Sequence, residues 1–241
     1  MIKRTKAKKI IFRADGNSNI GLGHLYRLFA LSEIYKDHYE CVFVTKKDST
    51  LSIFLREHKL IIIPDDVTIS EESKWLLEYF KSSDYLIILD GYQFDVQYQK
   101  RLKEIGYNLM FIDDYAQEND IADVIVNHSL SVNNSDFKSS RQARLGLGSK
   151  YAILRPQFLE EAKKNKKVHL VKKAFICFGG ADFNNLTNRC LKGIVNIEEL
   201  EEIHVVIGNA YKDNEIYKTI EENEEKISLH KNLNEEEMVK L

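Results

Sequence analysis

Tyr85-Leu86-Ile87-Ile88-Leu89 is an unbroken apolar run with no polar residue inside it. A strand that buries one face alternates apolar and polar side chains, whereas a run without alternation is covered on both faces. Asp90-Gly91-Tyr92-Gln93 ends the run, and Val96 to Ile105 then reads as a helix that stops near Gly106. The same strand-turn-helix unit recurs on either side. Upstream, Lys9-Ile10-Ile11-Phe12-Arg13 reads as a strand that passes through a Gly-rich turn into a helix with apolar positions at Leu25, Leu28, Phe29, Leu31 and Ile34. Strand Glu40 to Val44, a helical Leu51 to Glu57, a short strand Leu60 to Ile63 stopped by Pro64, and helix Ser70 to Lys81 follow, with Ser70 and Ser73 as candidate caps. Downstream, Asn108 to Ile112 and Asp123 to Val126 are strands, and Asn133 to Ser140 is a polar surface loop. Buried strands alternating with helices predict an α/β fold with a parallel, doubly wound sheet. Such sheets carry their working residues on the loops after the strands' carboxyl ends.

Ala162 to Lys173 is rich in Lys and Asn and breaks the pattern. It predicts a first domain over 1–161, a linker over 162–170 and a second domain over 171–241. There the alternation restarts: strand Ala174 to Phe178, turn Gly179-Gly180, helix Asn185 to Ile194, strand Ile203 to Ile207, helix Glu215 to Glu224, and a helix start from Asn234. Two strands cannot bury both faces of a doubly wound sheet, so the second domain is expected to be incomplete. Its apolar edge would invite self-association and leave it less stable than the first.

Hydrophobic residues make up 44% and charged residues 30% of the 241, a globular rather than a disordered balance. The net charge of -2 carries no basic footprint for nucleic acid. The basic start (Lys3, Arg4, Lys6, Lys8, Lys9) is followed by an apolar run too short for a signal peptide. It either touches an anionic membrane surface or is a solvated lead-in to the first strand. No run approaches the roughly 18 apolar residues of a membrane span. Cys41, Cys177 and Cys190 are an odd, scattered set without CxxC. Cys41 and Cys177 lie in apolar runs and read as buried thiols, which fits a reducing cytoplasm.

Four turns carry candidate chemistry. Arg13-Ala14-Asp15-Gly16-Asn17-Ser18-Asn19-Ile20-Gly21-Leu22-Gly23-His24 joins the first strand to the first helix, with Arg27 a turn further on. Its glycines allow close backbone approach to a ligand, but GxGxxR is not a dinucleotide fingerprint. His24 at the helix start is either a base, since imidazole changes charge near neutral pH, or a capping or surface histidine. Asp90 either orients another side chain, binds a sugar hydroxyl or closes a turn. Asp113-Asp114 could hold a metal, but neighbours in an extended chain point to opposite sides, which favours a turn with one inward aspartate. Phe178-Gly179-Gly180-Ala181-Asp182-Phe183-Asn184-Asn185 is either a diphosphate cradle or an ordinary strand-helix turn.

Taken in order, these segments resemble one family. They are Ile11-Phe12-Arg13-Ala14-Asp15, Gly21-Leu22-Gly23-His24 with Arg27, Leu89-Asp90-Gly91-Tyr92, Ile112-Asp113-Asp114, Gly148-Ser149-Lys150-Tyr151-Ala152-Ile153-Leu154-Arg155-Pro156-Gln157-Phe158 and Gly179-Gly180-Ala181-Asp182. The family is the UDP-2,4-diacetamido-2,4,6-trideoxy-β-L-altropyranose hydrolases of pseudaminic acid biosynthesis. The resemblance implies a glycosyltransferase-B-like fold of two doubly wound domains facing a cleft. It implies release of UDP by water attack at the anomeric carbon, with inversion, in the cytoplasm. It assigns His24 as base and Tyr92 to the sugar pocket. Substrate contacts are then expected at Arg13, Asp15, Gly21, Gly23, Arg27, Asp90, Asp114 and Arg155, and nucleotide contacts at Gly179, Gly180, Asp182 and Asn185. UDP is a good leaving group, so no metal or other cofactor is demanded. The chain departs from the family by ending before its second set of Gly-rich and Asn-bearing segments. Two other readings share the fold: a glycosyltransferase in which an acceptor replaces water, and a non-catalytic binding module for a UDP-sugar.

Overall fold

β1 (Lys9–Arg13) pairs in parallel with β2 (Glu40–Lys46) on one side and with β4 (Tyr85–Asp90) on the other. Outward from β2 lies β3 (Lys59–Ile63); outward from β4 lie β5 (Asn108–Ile112), β6 (Val124–Asn127) and β7 (Arg144–Leu147). The result is an all-parallel sheet in the order β3-β2-β1-β4-β5-β6-β7. Strand order reverses between β1 and β4, and a crevice opens at the carboxyl ends of the strands at such a switch point. The computed structural model describes residues 9–17, 20–49, 58–116, 121–137, 143–164, 167 and 169–241. The expected helix Leu51 to Glu57, the N-terminal lysines before Lys9, Ser18 and Asn19, and parts of the 133–140 loop and of the linker lie outside the described residues.

The unalternated run of β4 is buried as its pattern requires, with Ile87, Ile88 and Leu89 all inaccessible. One face of the sheet, with Ile11, Val42, Ile87, Leu89 and Phe111, packs on α2 (Glu72–Tyr79) through Leu76 and on α3 (Val96–Ile105) through Tyr98 and Leu102. The other, with Ile10, Phe12, Ile88 and Ile112, packs on α1 (Gly23–Tyr35) through Leu25, Leu28 and Leu31. Each such side chain taken from water contributes about 1.5–3 kcal/mol before entropy is counted. Helix α3 is capped at Asp95, which accepts from the Tyr98 amide at 2.8 Å, and ends on left-handed Gly106. Ser70 and Ser73 are not caps: α2 starts later, Ser73 is buried inside it, and Thr68 bonds Glu71 before it. In the expected polar loop, Asn134–Phe137 forms a turn of 3-10 helix that buries Phe137.

The chain divides into two compact units, Met1–Arg155 and Pro156–Leu241. The second begins with α4 (Pro156–Ala162), ahead of the expected linker. Its sheet has three parallel strands rather than the two expected: β8 (Lys173–Cys177), β9 (Glu202–Ile207) and β10 (Ile227–Lys231), in the order β10-β9-β8. Ile176, Ile203, Val205 and Ile227 pack with Leu191 of α5 (Leu186–Ile194) and Ile216 of α6 (Glu215–Glu221). Asn234 begins α7 (Glu235–Met238) with a reciprocal capping box to Glu237. Cys177, read as a core thiol, is exposed, while Cys41 is half-buried and its thiol is pushed up to about 11 by burial and by the charge of Glu33. Among the described residues, no helix is long and apolar enough to cross a membrane.

Candidate active site

The first helix presents His24 in its opening turn and Arg27 one turn later, spacing that puts both on one face. The loop before it is held in a tight hairpin. Gly21 donates its amide to the Asn17 carbonyl at 2.8 Å and takes a left-handed φ of 80°, which only glycine adopts without strain. Gly23 opens α1, and a side chain there would meet nothing.

His24 and Arg27 reach over the carboxyl ends of β4 and β5. Asp90, fully buried, accepts from His24 Nδ1 at 2.7 Å, from Arg27 Nη2 at 2.6 Å and from Arg27 Nε at 2.8 Å. The same guanidinium donates to both oxygens of Asp114, at 2.6 and 2.8 Å. His24 Nδ1 also lies 3.0 Å from Arg27 Nη2. These two nitrogens meet because they share one acceptor, Asp90 Oδ1. A proton on Nδ1 satisfies that geometry, whereas a bare Nδ1 would set its lone pair against a carboxylate oxygen. Nδ1 is therefore the donor to Asp90, which leaves Nε2 as the ring nitrogen available for proton exchange. Burial raises the Asp114 carboxyl, but hydrogen bonds and charge from Arg27, with smaller contributions from His24 and His128, outweigh it and hold it below the usual carboxylate range.

His24, Asp90 and Asp114 offer ligand atoms within 4.8 Å of one another, a spacing that would suit a metal. The Arg27 guanidinium already bonds both carboxylates of that cluster, however. A divalent ion would have to displace a cation held by four charge-assisted bonds. The donor set does not fit a metal.

Tyr92 sets its ring edge-on to His24 at 4.8 Å and lies at the same distance from Tyr115. Its ring is 53% exposed. Desolvation, helped by a hydrogen bond with Tyr115 and by the charge of Asp114, pushes its hydroxyl up to about 12, so it stays protonated.

Other expected site residues are engaged within the protein. Arg13 is inaccessible, with Nε and Nη2 on the Glu72 carboxylate at 2.6 and 3.1 Å and Nη1 on Asp15 at 2.6 Å. Burial works against its charge, and Glu72 and Asp15 more than restore it. Asp15 is a structural hub. Its oxygens accept from Arg13, the Lys46 amide at 2.8 Å, Thr45 Oγ1 at 3.0 Å and Gln93 Nε2 at 3.0 Å. Arg13 and Asp90 are inaccessible, and Asp15 is partly exposed. Asp113 is the inward aspartate of its pair, accepting from the Tyr115 amide at 2.8 Å. Arg155 stacks over Tyr26 at 5.2 Å. Glu72, which neutralises Arg13, and His128, just beyond β6, were missed by the sequence reading.

In the second unit, Gly179 takes a left-handed φ of 79° and opens the turn after β8. Asp182 turns its carboxylate onto the first amides of α5, at 2.9 Å from Leu186 and 2.7 Å from Thr187. The negative charge at that helix end is therefore the protein's own. Asn185 donates to Asp213 and accepts from Tyr211 at 2.8 Å. Both residues expected at the nucleotide are thus bonded within their own unit. Gly208, after β9, carries a requirement of its own. A Cβ there would lie 2.4 Å from the Gly180 Cα and carbonyl oxygen, which are backbone and cannot swing away. Gly208→Ala is expected to cost the second unit about 1–3 kcal/mol, the usual cost of overpacking. Chemical denaturation followed by amide exchange would show the loss confined to residues after Pro156; an unchanged midpoint would mean that the two loops separate freely.

No family model matches the chain. It is 31% identical, over 74% of its length and 63% of the relative's, to the UDP-2,4-diacetamido-2,4,6-trideoxy-beta-L-altropyranose hydrolase of Campylobacter jejuni. It is 28% identical, over 93% of its length and 48% of the relative's, to an uncharacterized protein of Methanocaldococcus jannaschii. The chain thus spans about half to two-thirds of the length of these relatives. A UDP-glucosyltransferase from Polygonum tinctorium superposes over 97% of this chain and 72% of its own, with a TM-score of 0.50 and 11% identity. That likeness is one of fold, of the glycosyltransferase-B type.

Proposed function

We propose that the chain belongs with the UDP-2,4-diacetamido-2,4,6-trideoxy-β-L-altropyranose hydrolases and carries the catalytic unit of a UDP-sugar hydrolase. The observation that supports this reading best is the Asp90–His24 pair at the switch point of the sheet, with Nε2 of His24 left as the free base. A water on Nε2 gives its proton to that nitrogen as its oxygen bonds the anomeric carbon. The C1–O bond breaks on the opposite face, and its electron pair leaves with UDP. Asp90 stabilises the imidazolium formed at that moment. Arg27 fixes Asp90 and Asp114 in place by four charge-assisted hydrogen bonds and keeps the Asp114 carboxyl below its usual range. Tyr92, protonated and half-exposed beside His24, is assigned to the sugar wall. In the second unit, the reading leaves the backbone of Gly179 and Gly180 to the diphosphate.

The test is the protein's action on UDP-linked 2,4-diacetamido-2,4,6-trideoxy sugar in water enriched in oxygen-18. The expected result is UDP release, with the label on C1 of the free sugar and an inverted anomer in the first NMR spectra. Label in the UDP phosphate would mean attack at phosphorus and would sink the mechanism. Release that needs an added sugar acceptor would make the protein a transferase.

A further inference from the structure

Beyond the base and Tyr92, a second tyrosine stands at the same end of the sheet. Tyr115 follows Asp113 and Asp114 on the loop after β5. Its ring centroid lies 4.8 Å from that of Tyr92, whose own ring meets His24 edge-on at the same distance. Tyr115 is thus linked to His24 through a single intervening ring. The backbone that carries it is pinned. Its amide donates to the Asp113 carboxylate at 2.8 Å, and the Asp114 carboxylate beside it is held by Nη1 and Nη2 of Arg27. The hydroxyls of Tyr92 and Tyr115 share a hydrogen bond. Despite this anchoring neither ring is packed away: Tyr115 is 66% exposed and Tyr92 53%. A large side chain fixed in place yet left in water adds little to the fold, because the hydrophobic contribution comes from burial. Fixed, accessible aromatic rings beside an organised catalytic cluster are suited instead to take up the apolar groups of a ligand.

We propose that Tyr115 is a substrate-contacting, specificity-determining residue whose ring packs on an apolar group of the sugar, the methyl of an acetamido arm or of C6. The proposal rests on the reading of the site as one that accepts a UDP-linked 2,4-diacetamido-2,4,6-trideoxy sugar. Such a sugar presents acetamido methyls and the C6 methyl where a common hexose presents hydroxyls. Methyl hydrogens suit the electron-rich face of an aromatic ring, whereas a hydroxyl placed there would give up its water without gaining a partner. The two tyrosines then divide the sugar between them. Tyr92, in contact with His24, borders the reacting end, and Tyr115 holds a substituent beyond it.

Two replacements separate the ring face from the hydroxyl. Tyr115→Phe keeps the face and loses the bond to Tyr92, whereas Tyr115→Ser keeps a hydroxyl and loses the face. The side chain is exposed, so both variants should fold as the unmodified protein does. Tyr115→Phe is expected to hold KM for the UDP-sugar within about twofold. Tyr115→Ser should raise it about five- to tenfold, the scale of one aromatic contact, with kcat little changed and its pH profile unmoved. Substrates with hydroxyl in place of one acetamido group, or added at C6, would show which methyl is held, as the one whose loss erases the difference between the variants. A KM for Tyr115→Ser equal to that of the unmodified protein would overturn the proposal. So would a KM for Tyr115→Phe as high as that of Tyr115→Ser, which would give the effect to the hydroxyl and reduce Tyr115 to positioning Tyr92. A readout independent of turnover keeps the contact separate from the hydrolase reading. In saturation-transfer NMR, irradiating the aromatic resonances of the unmodified protein should reach a methyl of the free diacetamido sugar, and that transfer should fall in Tyr115→Ser. That result with no UDP release by the unmodified protein would sink the hydrolase reading and keep the contact. Equal transfer in the two proteins, or none in either at saturating sugar, would remove the contact.

Discussion

Replacing His24 with Asn should lower UDP release about 10²–10⁴-fold, the range typical of a lost general base, while binding of the UDP-sugar changes little. The argument is geometric. Asp90 accepts the hydrogen bond from Nδ1–H, which leaves Nε2 to act as the base, and no other ring nitrogen in the described site has a hydrogen-bonded carboxylate behind it. Asn can still donate to Asp90, so the buried carboxylate keeps a partner and the fold is preserved. Asp90→Asn is expected to follow the same direction, because an amide can bond the ring in either tautomer and no longer stabilises the imidazolium. Steady-state kinetics on folded protein measures both. Turnover of His24→Asn within threefold of normal would take the base away from His24 and leave the carboxylate cluster without a catalytic role.

The second large effect is on stability. Glu72→Ala should destabilise the first unit by about 3–5 kcal/mol, the cost of breaking a fully buried ion pair from one side. Arg13 keeps its charge with no access to water, and Tyr98, whose hydroxyl donates to Glu72 at 2.5 Å, loses its acceptor as well. Against a typical domain stability of about 5–15 kcal/mol, that loss is enough to leave much of the protein unfolded at 37 °C. Replacing both partners together, Arg13→Met with Glu72→Leu, is expected to recover most of it, since an apolar pair needs no solvation. Urea unfolding of the three proteins makes the comparison. A Glu72→Ala loss below about 1 kcal/mol would mean that water reaches the pair and that its burial is not maintained in solution.

Much of this architecture is legible in the sequence, for reasons that also explain the misses. Ile87 to Leu89 and Ile10 to Phe12 are buried on both faces, so their composition reports their place directly. Gly106 marks the end of α3 because a left-handed residue is needed there. β7 is short and carries Gly146, which lets the Tyr151 ring close over it at 3.0 Å from where a Cβ would be. A glycine chosen for a neighbour's ring reads as a turn when that neighbour is unknown. β10, Ile-Ser-Leu-His-Lys, alternates because Ile227 and Leu229 turn to the α5–α6 core while Ser228 and His230 do not. Its apolar positions are too few to stand out.

The site divides along the same line. His24, Arg27, Asp90 and Asp114 can be picked out because each sits at a strand end or helix start. Their joining is not legible: Asp90 meets His24 across 66 positions of sequence. The partners of Arg13 and Asp15 are hidden for the same reason. A charged residue after a buried strand looks like a ligand contact until its partner is known, and Glu72 is 59 positions away.

That separation bears on how the chain acquires its shape. β1 is central to the first sheet, yet one of its two neighbours, β4, begins only at Tyr85. During synthesis, at about 5–20 residues per second, an apolar strand therefore waits several seconds with an unpaired edge. Parallel pairings of this kind form slowly, because a long loop must close before any ladder bond rewards it. Arg13 is still hydrated and charged at the end of that strand until Glu72 emerges, a solubilising group placed beside the stretch that most needs one. Once the Glu72 carboxylate arrives, the charge is sealed inside. The ion pair then doubles as a checkpoint: an alternative packing that pairs β1 with another strand leaves a bare guanidinium in the core, and is unstable for that reason.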